Sequence, residues 1–279
     1  MREQIAPEPA VGSGFPPGFL FAPLRLSDMV DVIALDAVGT VMTPEPAVEA
    51  AYGTVGRRHG SRLSDGEIAT RFRQVFANRP LGETTSEPLE HEFWRAVVGE
   101  VLPDTHAPEA CFSELLAWFG QPQAWRLYPD VLPALLQWRQ AGVRVVLASN
   151  FDSRLRPVWR GLAPGWGDLP LCISSEVGYR KPSPKFFTAL CQQVGVAADR
   201  ILMVGDSWRE DVVGSRDAGL RAAWICRKPA HAPPGDREGI PRCERLTELN
   251  PGPRSDTQPP PPCDLGAAAG LPQPRESPA

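Results

Sequence analysis

The sequence predicts an α/β fold: a doubly wound, Rossmann-like parallel sheet with a small all-helical domain inserted after its first strand. Three observations predict it. Short runs rich in Val, Ile or Leu recur at residues 32–35, 143–148, 171–177, 201–204 and 222–226. Continuous apolar runs of that length are strands buried on both faces, as in a parallel sheet covered by helices. Helical patterns separate the later runs, and alternating strand and helix is the mark of a doubly wound architecture. Between the first two runs the alternation stops, and the chain reads as helices alone.

The first strand, 32–35, ends in Asp36. Helices are then expected over 46–59, 64–76, 87–102 and 108–119. Ser64 and Glu67 form a capping box, each side chain able to satisfy an orphan amide at the start of the second of these helices. An insert at this point lies over the ends of the strands. "PDVLPALLQWRQAG" returns the chain to the sheet and ends in Gly142, a residue suited to a helix C-terminus. The second strand ends in Ser149–Asn150, and the loop after the third carries Lys181. "SPKFFTALCQQVG" opens with Ser183 as N-cap and Pro184 at the first helical position. It sets Phe186, Phe187, Leu190 and Val194 on one stripe and stops at Gly195. The fourth strand ends in Gly205–Asp206. "WREDVVGSRDAG" follows, carries Asp211 and stops at Gly219. Trp94, Trp118, Trp125 and Trp138 are expected in packing, and Arg57, Arg58, Arg71 and Arg73 on solvated helix faces.

Composition sets the limits. Pro and Gly together make about a fifth of the chain, below the roughly 25–30% of a wholly disordered one. Pro is concentrated at the ends, which divides the sequence into an extension at 1–28, an α/β core at 29–43 and 126–249, a helical insert at 44–125, and a Pro-rich disordered tail at 250–279. Met29 is the expected natural start. The net charge of −4 argues against a nucleic-acid partner, which calls for a basic domain. No apolar run approaches the roughly 20 residues of a membrane span, and "GFLFAPL" is too short for a signal-peptide core. A cytoplasmic protein without membrane attachment is expected. The six cysteines form no CxxC pair, so free thiols are expected.

In open α/β sheets, ligands bind beyond the carboxyl ends of the strands. Asp36, Ser149–Asn150 and Asp206 each close an apolar run, and Asp211 and Lys181 lie within reach. Carboxylates, a hydroxyl and an ammonium gathered there suit Mg²⁺, which takes oxygen ligands, together with an anionic substrate.

"DVIALDAVGTV", "VVLASN", "GYRKPSPKFF" and "VGDSWREDVVGSRDAG" resemble the four ordered motifs of the haloacid dehalogenase-like (HAD) hydrolase superfamily. The resemblance covers residues 30–249. The helical insert resembles the cap of subfamily I. The wording "KPSPxxF" and "GDSxxxD" resembles the branch containing haloacid dehalogenase-like hydrolase domain-containing protein 3. The resemblance implies a Mg²⁺-dependent phosphatase acting on a small phosphorylated metabolite. It makes Asp36 the nucleophile of an aspartyl intermediate. Asp36, the backbone carbonyl of Val38 and Asp206 are the implied metal ligands, with Asp211 supporting them. Ser149, Asn150 and Thr40 are assigned to substrate binding, and Lys181 to neutralising Asp36 and the transferring group. Gly39 allows the tight turn after the nucleophile.

One position departs from the pattern. Phosphatases of this superfamily carry a second Asp two residues after the nucleophile, where it protonates the leaving group and then activates water. Here Val38 stands, and general acid–base catalysis is typically worth about 10²–10⁴-fold. Turnover is therefore slow or specialised, or the leaving group is good, or a residue of the insert substitutes. Glu45, Glu49 and His91 are candidates by charge alone. Two other readings stay open. A 2-haloacid dehalogenase expels halide, which needs no proton. Such enzymes work without metal, lack the Gly-Asp pair at the fourth motif, and carry Tyr where this chain has Phe187. A non-catalytic HAD-fold binding protein accounts for Val38 and leaves the retention of Asp36, Ser149, Lys181, Asp206 and Asp211 unexplained. Phosphonoacetaldehyde hydrolysis needs a lysine in the cap, and the lysines are Lys181, Lys185 and Lys228.

Overall fold

A computed structural model describes residues 30–78, 82–227 and 239–250. The expected extension at 1–28, the tail beyond Asn250, Cys263 and Lys228 lie outside these residues. Strand β1 (Val32–Leu35) and a short β2 (Met42–Pro44) precede helices α1 (Val48–Arg58), α2 (Asp65–Asn78), α3 (Glu87–Val101) and α4 (Pro108–Phe119). Then come β3 (Trp125–Leu127), α5 (Val131–Gln140), β4 (Arg144–Ser149), α6 (Leu155–Leu162), β5 (Leu171–Ile173) and a one-turn α7 (Ser174–Val177). The described chain closes with α8 (Pro184–Val194), β6 (Ile201–Gly205), a π-helical turn (Trp208–Val213), α9 (Gly214–Asp217), β7 (Arg221–Ile225) and β8 (Arg242–Cys243).

The main sheet has six strands in the order β5-β4-β1-β6-β7-β8. Every neighbouring pair is parallel. The chain winds outward from β1 through β4 and β5, then returns to the other side of β1 for β6, β7 and β8. The doubly wound expectation holds. The switch point beside β1 is where such sheets open a crevice. Successive side chains alternate faces. Ile33, Leu35, Leu147 and Val204 pack with Trp138 of α5 and Trp159 of α6. Val32, Ala34, Val146 and Met203 pack with Phe186 and Phe187 of α8. Burial on both faces is why these strands read as unbroken apolar runs. Helices α1–α4 bury a separate core around Tyr52, Val55, Ile68, Val98, Phe112 and Leu115.

The local signals act as their chemistry requires. The Ser64 amide donates to Glu67 at 2.8 Å, and the Glu67 amide donates to Ser64 Oγ at 3.3 Å. Ser183 Oγ accepts from the Lys185 amide at 3.2 Å, and Gly195 ends α8 at φ +65°. The structure differs from expectation in four places. The expected strand 171–177 stops at Ile173, because Ser174 turns its hydroxyl onto the Phe151 carbonyl at 3.0 Å and starts α7. The helix expected from Trp208 opens as a π-turn, with the amides of both Asp211 and Val212 reaching the Ser207 carbonyl. β2 and β3 pair antiparallel, Met42 opposite Leu127 and Pro44 opposite Trp125, so the chain leaves and re-enters the core through adjacent strands. β8 adds a sixth strand of two residues. The five described cysteines are free thiols. Among the described residues, no helix is long and apolar enough to cross a membrane.

Candidate active site

Register brings the polar residues together. Leu35 lies opposite Leu147 on one side and Val204 on the other. Asp36, Ser149 and Asp206 therefore emerge side by side from β1, β4 and β6. The Asp36 amide continues the ladder by donating to the Val204 carbonyl at 2.9 Å. Two glycines leave the space in which carboxylates converge. Gly39 sits at φ +89°, and a Cβ there would stand 2.3 Å from Asp206 Oδ2. A Cβ at Gly205 would stand 2.1 Å from the Asp211 carboxyl. Asp36, Asp206 and Asp211 each offer an oxygen within 4.8 Å of the other two.

Lys181 is tied into this group. Its buried Nζ donates to Asp36 Oδ1 at 2.7 Å, Asp211 Oδ1 at 2.6 Å and the Ala148 carbonyl at 2.8 Å. Ser149 Oγ donates to the same Asp36 oxygen at 3.0 Å. Asn150 clamps the lysine's backbone: its Nδ2 donates to the Lys181 carbonyl at 3.0 Å, and its Oδ1 accepts from the Lys181 amide at 2.8 Å. Thr40 stands apart from its expected substrate-binding place. It is fully buried, and its hydroxyl faces Asp206 Oδ1 at 3.5 Å rather than the cavity.

The charges do not balance, with three carboxylates against one ammonium. Burial opposes charge on Lys181, but Asp211 and Asp36 outweigh it and raise its pKa. Asp206 is pushed up to about 7, first by burial and then by the charge of Asp36. Asp211 is likewise pushed up to about 7, first by burial, with Lys181 pulling the other way. Excess negative charge in a small volume with glycine-made room is the setting a divalent cation fits, and the donors are hard oxygens.

A cavity of about 440 Å³ lies over this group, between the strand ends and the insert. Asp36, Val38, Ser149, Asn150, Asp206 and Asp211 form its floor. Val38 is 38% exposed there and presents no proton-carrying group. None of Glu45, Glu49 and His91 lines the cavity. Glu45 pairs with Arg126 at 2.9 Å, and the His91 ring packs on Phe112. Sequence reading missed two acids that do line it. Glu90 is buried, pairs with Arg180 at 2.7 Å and accepts from Thr85 Oγ1 at 2.8 Å. Glu210 accepts from Asn150 Nδ2 at 3.2 Å. Burial pushes both carboxyls up. Trp138 and Trp118 belong to core packing, whereas Trp94 and Trp125 pack on neighbouring rings and also wall the cavity.

The insert is stitched to the core beside the cavity. The Thr85 amide donates to the Gly178 carbonyl at 3.0 Å, and the Arg180 amide to the Glu83 carbonyl at 2.9 Å.

The family model for haloacid dehalogenase-like hydrolases matches residues 30–219. The chain is 28% identical over 222 residues to phosphoserine phosphatase of Thermus thermophilus, covering 70% of this chain and 88% of that protein. It is 24% identical over 233 residues to Homo sapiens haloacid dehalogenase-like hydrolase domain-containing protein 3, covering 79% and 91%. The crystal structure of the HAD-hydrolase YfnB from Bacillus subtilis, bound to magnesium, shares the fold with a TM-score of 0.61 at 19% identity, covering 79% of this chain and 97% of that one. The matched span holds Asp36, Ser149, Lys181, Asp206 and Asp211, and by that match this chain belongs to the haloacid dehalogenase-like hydrolases.

Proposed function

We propose that the chain is a Mg²⁺-dependent phosphatase that hydrolyses a small phosphorylated metabolite through an aspartyl-phosphate at Asp36, its helical insert serving as the cap. The observation that carries this reading is the convergence of three carboxylates around the buried Lys181 ammonium at the strand ends. The phosphatase relative adds support. Asp36, the Val38 carbonyl and Asp206 would hold the cation, with Asp211 beside them. When bound, Mg²⁺ supplies positive charge that stabilises the phosphoryl oxygens and orients them.

The chain's own residues do the rest. Asp36 attacks phosphorus, and a carboxylate nucleophile divides one difficult displacement into two easier ones. Lys181 holds Asp36 in place through Nζ, which donates to its Oδ1 at 2.7 Å. Ser149 Oγ and the Asn150 amide receive phosphoryl oxygens, and such positioning is most of what phosphoryl transfer requires. Thr40 acts through Asp206 as a positioning residue. Val38 donates no proton, which makes the enzyme slow on esters of basic alcohols. The test is release of p-nitrophenol from p-nitrophenyl phosphate. Release with Mg²⁺ that stops with EDTA supports the reading. No release by folded protein with Mg²⁺ contradicts it.

Val38 also favours a second reading, 2-haloacid dehalogenation, since halide departs without a proton. The three carboxylates of Asp36, Asp206 and Asp211, close enough to share one cation, are more than metal-free displacement of halide calls for and count against it. Chloride release from 2-chloropropionate in EDTA distinguishes the two.

A further inference from the structure

The insert side of the cavity is an aromatic wall. Tyr52 meets Phe72 edge to face at 5.5 Å between ring centroids, and Phe72 stacks on Phe76 at 5.4 Å. Phe76 in turn meets Phe93 at 6.0 Å and Trp94 at 5.9 Å. Trp125, at the start of β3, adds a sixth ring. Rings in such a wall receive another flat apolar group by stacking or edge contact. The charged groups among them are mostly paired with one another, while the buried Arg180 Nε has no hydrogen-bond partner and Glu210 accepts from Asn150 Nδ2. Glu90 and Arg180 neutralise each other at 2.7 Å, and Asp152 holds Arg154 at 2.6 Å. The wall therefore suits a neutral, ring-shaped group rather than a charged aliphatic one. On the floor, Val38 offers no proton beside the bond that must break. A phenol ionises near 10, as tyrosine does, so it leaves as phenolate where an alkoxide needs protonation.

We propose that the substrate is an aryl phosphate, the phosphate monoester of a phenol, with its ring in the aromatic wall and its phosphoryl group at Asp36. This rests on the phosphatase reading above. In the first step an Asp36 oxygen forms a bond to phosphorus, and the phosphorus–oxygen bond to the ring breaks with its electron pair going to the phenolate. In the second, a water oxygen attacks phosphorus, the pair of the breaking bond returns to the Asp36 carboxylate, and both water protons leave on the phosphate. The phenolate then takes its proton from solvent.

The experiment compares phenyl phosphate, benzyl phosphate and acetyl phosphate with Mg²⁺, in wild type, Trp94→Leu and Phe76→Leu. Benzyl phosphate keeps the ring but leaves as an alkoxide, and acetyl phosphate leaves easily but has no ring. Wild type is expected to show kcat/KM for phenyl phosphate at least about 10²-fold above benzyl phosphate, the lower end of a missing acid's effect. Either variant is expected to lower the ratio of phenyl to acetyl phosphate kcat/KM by roughly tenfold, the scale of one lost ring contact with its buried area. Equal rates on phenyl and benzyl phosphate overturn the proposal and direct attention to Glu210 or Glu90 as proton donor. An unchanged ratio in both variants overturns the ring's place in the wall. Hydrolysis of acetyl phosphate alone overturns the proposal and leaves the phosphatase reading standing. No hydrolysis of any of the three by folded protein overturns both.

Discussion

At Lys181 two effects oppose each other. Burial disfavours the ammonium, while carboxylates at 2.6 and 2.7 Å favour it, and the net result is a raised pKa. Burial first, and then the neighbouring charge of Asp36 that one ammonium does not offset, pushes Asp206 and Asp211 up to about 7. An acid whose pKa is higher in the fold than in the unfolded chain makes stability fall as pH rises between the two values. Metal-free protein is therefore expected to lose stability from about pH 4 to about pH 7. A cation that binds the ionised group stabilises the fold by mass action. The gain in melting temperature on replacing EDTA with Mg²⁺ is thus expected to be larger at pH 8 than at pH 5. An equal gain at both contradicts the assignment of these carboxylates to the metal. At Val38, Val38→Asp is expected to speed benzyl phosphate hydrolysis by up to about 10²-fold, with little change for p-nitrophenyl phosphate. An equal change for both substrates contradicts the role given to that position. Asp36, Ser149 and Asp206 were legible because each closes an apolar run, and strand ends in register are neighbours. Glu90 and Glu210 were not, since a glutamate in the first turn of a helix reads alike whether it faces water or a cavity. Thr40 was legible as part of the nucleophile loop, but only the fold shows that it points at Asp206.

Among the elements, those with their own chemical punctuation were read from sequence. Ser183 and Gly195 bound α8, and Ser64 with Glu67 opens α2. Ser183 is buried, caps α8 and also donates to Glu83 Oε1 at 2.7 Å across to the insert. Ser183→Ala is expected to cost about 1–2 kcal/mol, one cap and one hydrogen bond. Urea unfolding measures it, and a loss within error of zero contradicts the capping role. The elements that escaped are those held by tertiary pairing. β2, β3 and β8 are two or three residues long, too short for a period to show. The π-turn leaves no pattern in sequence because one extra residue in a turn alters no composition. It matters because it swings Asp211 back so that its carboxylate accepts from the Ser207 amide at 3.0 Å and reaches Lys181. π-turns inside helices are frequent at functional sites.

At the scale of the molecule, the sheet supplies the floor of the site and the insert supplies its walls. The floor follows from strand order, since β1 lies between β4 and β6 with Leu35 level with Leu147 and Val204. The doubly wound class was legible, because apolar runs alternating with helices permit few topologies; the order of the strands comes from the structure. The walls were not, because helical periodicity shows that a helix has an apolar face without showing that part of it lines a cavity. Tyr52 and Phe72 are core and wall at once. The central claim is that Asp36 carries the phosphoryl group. The most direct measurement is mass spectrometry of protein acid-quenched during turnover of p-nitrophenyl phosphate with Mg²⁺. The expected result is one phosphoryl group on the peptide containing Asp36, absent from Asp36→Asn. Turnover with no phosphoryl group on that peptide, or with the group on another residue, contradicts the account.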